Sequence, residues 1–103
     1  MSPRSGLLVV QSRPASADTV DELNRWYDEV HIPEILGVAG FATARRFRAA
    51  DGESFLAVYE IDDVDAARAA MADAQRSGRM TMPSGVQLDP PPSAQWFLDL
   101  GAG

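Results

Sequence analysis

Two segments with helical periodicity, each set between strand-like segments, constrain the fold of this chain more than any other feature of its sequence. The first begins near Thr19 and is expected to end near His31, because Pro33 cannot continue a helical hydrogen-bond ladder. Pro33 can instead open a short helical turn through Leu36, which Gly37 and Gly40 close. The second runs from Asp63 to about Arg76. Its apolar residues recur at helical spacing and predict a buried stripe: Val64, Ala67, Met71 and Ala74.

Four strand-like segments flank these helices: Leu7–Ser12, Phe41–Arg48, Ser54–Ile61 and Trp96–Leu100. The middle two are joined by a loop containing Asp51-Gly52, which is typical of a hairpin turn. The order is therefore β-α-β-β-α-β, and we expect one α+β domain over residues 1–103 with a ferredoxin-like fold and a four-stranded antiparallel sheet. An irregular stretch from Arg79 to Gln95 has the length of a functional lid or a dimer contact.

Several strands are apolar on both faces, although two helices can cover only one face of a four-stranded sheet. A second copy that packs sheet to sheet would cover the other face, so we expect a homodimer that forms a dimeric α/β barrel. Dimerisation would also enlarge the small core of a chain of 103 residues.

The composition excludes several kinds of chemistry. The chain has no cysteine and no lysine, so it offers no thiolate nucleophile and no amine for a Schiff base. One histidine cannot form a two-histidine metal site, and no glycine-rich phosphate loop occurs, so we expect no metal and no cofactor.

The charge balance and the hydropathy pattern exclude several partners. Fifteen acidic residues stand against nine arginines, a formal net charge of −6, which argues against nucleic acid and against anionic membranes. The apolar run Leu7–Val10 is too short for a signal peptide or a membrane span. We therefore expect a cytoplasmic protein.

His31 is the only side chain whose ordinary pKa lies near neutral pH. At helical spacing, Tyr27 lies one turn before it, and Glu34 lies three residues after it. A carboxylate beside an imidazole would raise its pKa, and a phenol could donate a hydrogen bond to a substrate oxygen. We single out His31, Tyr27 and Glu34 as candidate catalytic residues. The alternative is a histidine that caps the end of a helix.

Aromatic side chains predict an apolar pocket near this histidine. On the second strand, alternation places Phe41, Arg45 and Phe47 on one face, where Arg45 could bind a carboxylate or stabilise an enolate. The alternative for Arg45 is an ion pair on a neighbouring strand. The candidate substrate-binding residues are Trp26, Arg45, Phe41, Phe47, Phe55, Tyr59, Met80 and Met82.

The segment Trp26-x4-His31-x-Pro33, followed by Gly40-Phe41 and an arginine-bearing strand, resembles the EthD-type branch of the dimeric α/β-barrel superfamily. Ala39-Gly40 stands where that group has a Pro-Gly step, and the resemblance covers residues 5–61. It implies a homodimer with a pocket in each subunit between sheet and helices. It also implies that His31 matches the histidine at the end of the family's first helix.

The superfamily includes cofactor-free polyketide cyclases, muconolactone isomerases and quinone-forming monooxygenases. The resemblance thus implies a cofactor-independent cyclase, isomerase or lyase that transfers protons on a small apolar oxygenated substrate, such as a polyketide or aromatic intermediate. Two alternatives stay open. One is a non-catalytic ligand-binding or auxiliary protein on the same scaffold. The other is a monooxygenase, either cofactor-free or with His31 as an axial haem ligand.

Overall fold

The computed structural model describes residues 3–101 and has the β-α-β-β-α-β order expected from the sequence. Its elements are β1 (Gly6–Ser12), α1 (Val20–Trp26), α2 (Ile32–Leu36), β2 (Phe41–Arg48), β3 (Phe55–Ile61), α3 (Val64–Arg76) and β4 (Ser93–Leu98). The strands form one four-stranded sheet in the order β2-β3-β1-β4, and each neighbouring pair is antiparallel. The prediction of a ferredoxin-like α+β fold is confirmed.

The helix does not break near His31, so that prediction was wrong, whereas the short helical turn expected from Pro33 through Leu36 is confirmed as α2, which Gly37 ends. A π-helical turn over Tyr27–His31 joins α1 directly to α2, and the backbone N–H of Ile32 donates to the carbonyl of Tyr27. The wider turn accommodates one extra residue, so the helix continues past Pro33, which has no N–H to donate. Because the backbone at His31 is helical, with φ −72° and ψ −46°, the alternative of a helix-capping histidine loses its basis.

At the start of β2, side chains do not simply alternate between the two faces of the sheet. The register shifts between Phe41 and Thr43, which leaves Ala42 as an extra residue in a β-bulge. The bulge turns Phe41 towards the helices, whereas Arg45 and Phe47 lie on the opposite face of the sheet. The prediction that Phe41, Arg45 and Phe47 share one face was therefore wrong.

The core lies between the helices and one face of the sheet. Leu23 and Tyr59 are fully buried there, and the predicted stripe of α3 is buried as well. Asp63 begins α3 by accepting a hydrogen bond from the backbone N–H of Ala66 at 3.0 Å. Among the described residues, no helix is both long and apolar enough to cross a membrane.

The loop between α3 and β4 is pinned to the first helical segment. The carbonyl of Gly85 accepts hydrogen bonds from the backbone N–H of Ala15 at 2.8 Å and from the hydroxyl of Thr19 at 3.1 Å. Gly85 has a φ of +78°, and a Cβ there would lie 2.9 Å from the backbone nitrogen of Leu23. This close approach fixes one end of the segment Met80–Pro83 over the helices.

Candidate active site

A cavity of about 610 Å³ lies between the sheet, the first helical segment and α3. Its walls combine side chains from β1, β3 and β4 with His31, the Met80–Pro83 loop and one face of α3. The volume is in the range of ordinary small-molecule sites, and most of the lining side chains are apolar. The cavity could therefore enclose a ligand of two or three fused rings.

His31 is held in this cavity between two aromatic rings. Its imidazole stacks on Trp26 with ring centroids 4.4 Å apart and an angle of 17° between the planes. The ring of Tyr27 meets it edge-on, with the centroids 5.4 Å apart. His31 lies five residues after Trp26 and four after Tyr27, and the wider π-helical turn brings the three rings together on one side of the helix.

Burial lowers the pKa of His31 from 6.5 to about 4, and the charge of Glu34 opposes this only in part. From the neighbouring carboxylate alone, the sequence predicted a raised pKa for His31. In the structure, the cost of burying a charged imidazolium outweighs the attraction of that carboxylate, so the pKa falls. His31 is thus a neutral imidazole at pH 7. Its Nδ1 is buried and has no hydrogen-bond partner among residues 3–101.

Glu34 has a different partner from the one that its spacing suggested. Its carboxylate accepts hydrogen bonds from the backbone N–H of Thr81 at 3.1 Å and from the Thr81 hydroxyl at 2.5 Å. This contact holds Met80 and Met82, which flank Thr81, against the cavity. Glu34 therefore tethers the loop and influences His31 only through its charge.

Tyr27 lies beside the cavity rather than in its wall. Its hydroxyl donates a hydrogen bond to Ser12 Oγ at 3.5 Å. The guanidinium carbon of Arg46 lies 4.2 Å from the centre of the Tyr27 ring, and Arg46 donates to Asn24 Oδ1 at 2.8 Å. Arg46 thus holds Tyr27, which in turn packs against His31.

Tyr59 and Trp26 present two further unpartnered polar atoms. The hydroxyl of Tyr59 and the Nε1 of Trp26 are buried without a hydrogen-bond partner among the described residues, and both residues border the cavity with His31. Burial raises the pKa of Tyr59, and Tyr27 raises it further, so the phenol stays protonated. A buried polar atom without a partner is costly, and three such atoms, on Trp26, His31 and Tyr59, cluster at this cavity.

The structure brings together only part of the predicted site. Five predicted residues border the cavity: Trp26, His31, Tyr59, Met80 and Met82. Phe41 packs edge-on against Tyr59 outside the cavity lining, with ring centroids 5.8 Å apart, and Phe55 lies beneath Arg46, also outside it. Arg45 and Phe47 lie on the far face of the sheet, so the structure corrects their assignment to this pocket.

Sequence reasoning missed the contributions of α3 and β4. Arg68, Met71, Ala72 and Gln75 line the cavity from α3, and Trp96 lines it from β4. The spacing of the four α3 residues, which places them on one helical face, is a signal that could have identified them. Nothing in the local sequence shows that this face lies opposite His31.

The fold is similar to that of a solved enzyme. The crystal structure of a monooxygenase from the gene ActVA-Orf6 of Streptomyces coelicolor, in complex with the ligand nanaomycin D, matches with a TM-score of 0.64 and 21% sequence identity. The match covers 94% of this chain and 89% of that chain. No protein-family model and no curated protein matches the sequence. The likeness shows the fold, and membership of the EthD-type branch stays a prediction.

Proposed function

We propose that this protein is a cofactor-independent enzyme that removes or relays a proton on a small apolar oxygenated substrate, such as a polyketide or aromatic intermediate. One observation carries the proposal: a neutral imidazole borders a largely apolar cavity beside two other polar groups that have no partner among residues 3–101. A purely structural histidine would be expected to use its buried Nδ1 in a hydrogen bond.

The three polar groups have complementary roles in this proposal. His31 accepts a proton from a carbon or hydroxyl conjugated to a carbonyl group. Tyr59 and Trp26 donate hydrogen bonds to the substrate oxygen on which negative charge develops. The raised pKa of Tyr59 keeps its proton available for that bond. Cyclisation, isomerisation and a lyase step all begin with this transfer.

Monooxygenation is the second candidate, and the similar fold of an enzyme described as a monooxygenase favours it. The carbanion left by proton removal would reduce dioxygen. One oxygen atom would enter the substrate, converting a CH₂ group to a carbonyl, and the other would leave as water. The same residues serve this reaction, because the proton must be removed first.

Hydrogen exchange in a simple ketone tests the proposal. In anaerobic D₂O, the protein is expected to accelerate the replacement of the benzylic α-hydrogens of 2-tetralone by deuterium, which NMR follows directly. Dioxygen uptake on admitting air, with 2-tetralone converted to its 1,2-dione and water, would identify the oxygenase. Binding of 2-tetralone without faster exchange would instead identify a non-catalytic binding protein and sink the proposal.

We also propose that the functional unit is a homodimer packed sheet to sheet. The face of the sheet that is turned away from the helices carries Leu7, Val9, Leu56, Val58, Phe47 and Phe97. Phe47 and Phe97 remain 43% and 41% exposed in the single chain. The same face carries polar residues as well: Gln11, Thr43, Arg45, Glu60 and Gln95. An identical face would cover the six apolar side chains between them.

A charge in the middle of this face is expected to prevent dimerisation. Val9 pairs with Val58 on one side and Gln95 on the other, so Val9→Glu would place a carboxylate between two packed sheets. Light scattering should give twice 11.1 kDa for the wild type and 11.1 kDa for the variant. The matched control is Leu88→Glu, at a loop residue that is 64% exposed, which should stay dimeric. A wild-type mass of one chain at micromolar concentration would contradict the proposed dimer.

A further inference from the structure

One face of α3 gives the cavity a positive charge. Arg68, Met71 and Gln75 are spaced by three and seven residues, so their side chains project from the same side of the helix, and all three border the cavity. Among residues 3–101, Arg68 is the only arginine that lines the cavity, and none of the lining residues is acidic. His31 is neutral at pH 7. The guanidinium of Arg68 therefore gives the cavity lining a positive net charge, although the whole chain has a formal net charge of −6.

The charge of Arg68 is not neutralised by an ion pair. Within residues 3–101, Arg68 has no carboxylate partner within 4.0 Å. Asp65 lies one turn earlier on α3, but Arg4 engages both of its oxygens, with contacts of 2.6 and 3.0 Å. Asp73, further along the helix, pairs with Arg76 and Arg79. Arg68 thus retains its full hydrogen-bonding capacity at the rim of the cavity.

The position of Arg68 relative to the aromatic wall restricts where an anionic group would lie. Its guanidinium carbon is 5.9 Å from the centre of the Trp96 ring, and Trp96 also borders the cavity. A flat ligand against Trp96 would place a substituent at its edge within reach of the guanidinium. A planar carboxylate matches the two parallel N–H groups of arginine better than any neutral substituent does.

We propose that the substrate is an aromatic or polycyclic carboxylate, with its carboxylate bound by Arg68 and its ring against Trp96. This inference rests on the proposed function, because it assigns a substrate class to the same cavity. The carboxylate takes no part in the reaction and remains intact. It orients the ring system so that the opposite end lies towards His31. Arg68 is therefore a specificity-determining residue.

The test compares two ligands that differ in charge and hardly in shape, 2-naphthoate and 2-naphthamide. Isothermal titration calorimetry measures both affinities, because the naphthyl group absorbs and emits in the same range as tryptophan. The wild type is expected to bind 2-naphthoate about tenfold more tightly than 2-naphthamide. Arg68→Gln should abolish this preference by weakening 2-naphthoate alone. Arg76→Gln removes the same charge from the same helix outside the cavity lining and should preserve the preference.

The outcomes separate this inference from the proposed function. Equal affinities of the wild type for the two ligands would overturn the role of Arg68 while leaving an aromatic-binding cavity. An equal loss of the preference for 2-naphthoate in Arg68→Gln and Arg76→Gln would also overturn the role of Arg68. The net charge of the protein, and not a contact in the cavity, would then explain the preference. If neither ligand bound at millimolar concentration, the proposed function would fail together with this inference.

Discussion

Replacing His31 by glutamine is expected to lower the exchange of 2-tetralone hydrogens by about 100-fold, the lower end of the usual contribution of a positioned general base, because the lowered pKa of His31 makes it a weaker base. Glutamine keeps a polar side chain of similar reach in the π-helical turn but cannot accept a proton at neutral pH. Binding of 2-tetralone, followed by tryptophan fluorescence, should change little, because Trp26 and Trp96 still form the aromatic walls. A loss of rate with retained affinity is the result that assigns His31 to the chemistry.

The matched control is Glu29→Gln, an exposed carboxyl two residues earlier in the same turn. It should leave the exchange rate within a factor of about two, since surface substitutions have small effects. The wild-type rate should also stay constant as the pH falls from 8 to 5, because burial lowers the pKa of His31 to about 4 and the base remains neutral in that range. Equal rates for wild type and His31→Gln would remove His31 from the mechanism.

Tyr59→Phe is expected to make the protein more stable and less active. The Tyr59 hydroxyl is buried and has no partner among residues 3–101, so its removal should raise the free energy of unfolding by about 1 kcal/mol. Loss of a hydrogen-bond donor to the developing oxyanion should lower the exchange rate by about 100-fold. Urea unfolding and the exchange assay measure the two effects on the same variant. A gain in stability together with a loss of exchange rate would show that the Tyr59 hydroxyl serves function and not folding.

Tyr27→Phe makes the same chemical change at the neighbouring tyrosine. The Tyr27 hydroxyl has a partner in Ser12 and lies outside the cavity lining, so its removal should cost up to about 1 kcal/mol of stability and change the rate only a few-fold. If Tyr27→Phe instead reduced the exchange rate more than Tyr59→Phe does, the roles of the two tyrosines would be reversed. The catalytic role first expected for Tyr27 would then be restored.

The fold was predictable from the sequence because its periodicities are local and strong. The bounds of β2 at Phe41–Arg48 and the end of α3 at Arg76 agree with the predictions, and β1 and β3 differ by one residue at one end. The last strand begins three residues before Trp96 and ends two residues before Leu100. There, alanine, serine and prolines obscure the apolar pattern, so the irregular stretch was predicted too long.

The site was less predictable because two backbone irregularities and the tertiary arrangement determine it. The π-helical turn replaced an expected helix end near His31, and one extra residue at Ala42 moved Phe41 to the other face of β2. Neither has a reliable signal in residue spacing. Arg68 and Trp96 reach the cavity from segments more than 35 residues after His31, so only the folded chain shows that they meet.

An NMR titration of His31 tests the central claim most directly, since it is the chain's only histidine and its imidazole signal needs no assignment. We expect the signal to remain that of the neutral ring from pH 8 down to pH 5, because burial places its pKa near 4. At pH 7, adding 2-naphthol should shift this signal as the ligand enters the cavity. A titration midpoint near 6.5, with no shift on adding ligand, would contradict the account.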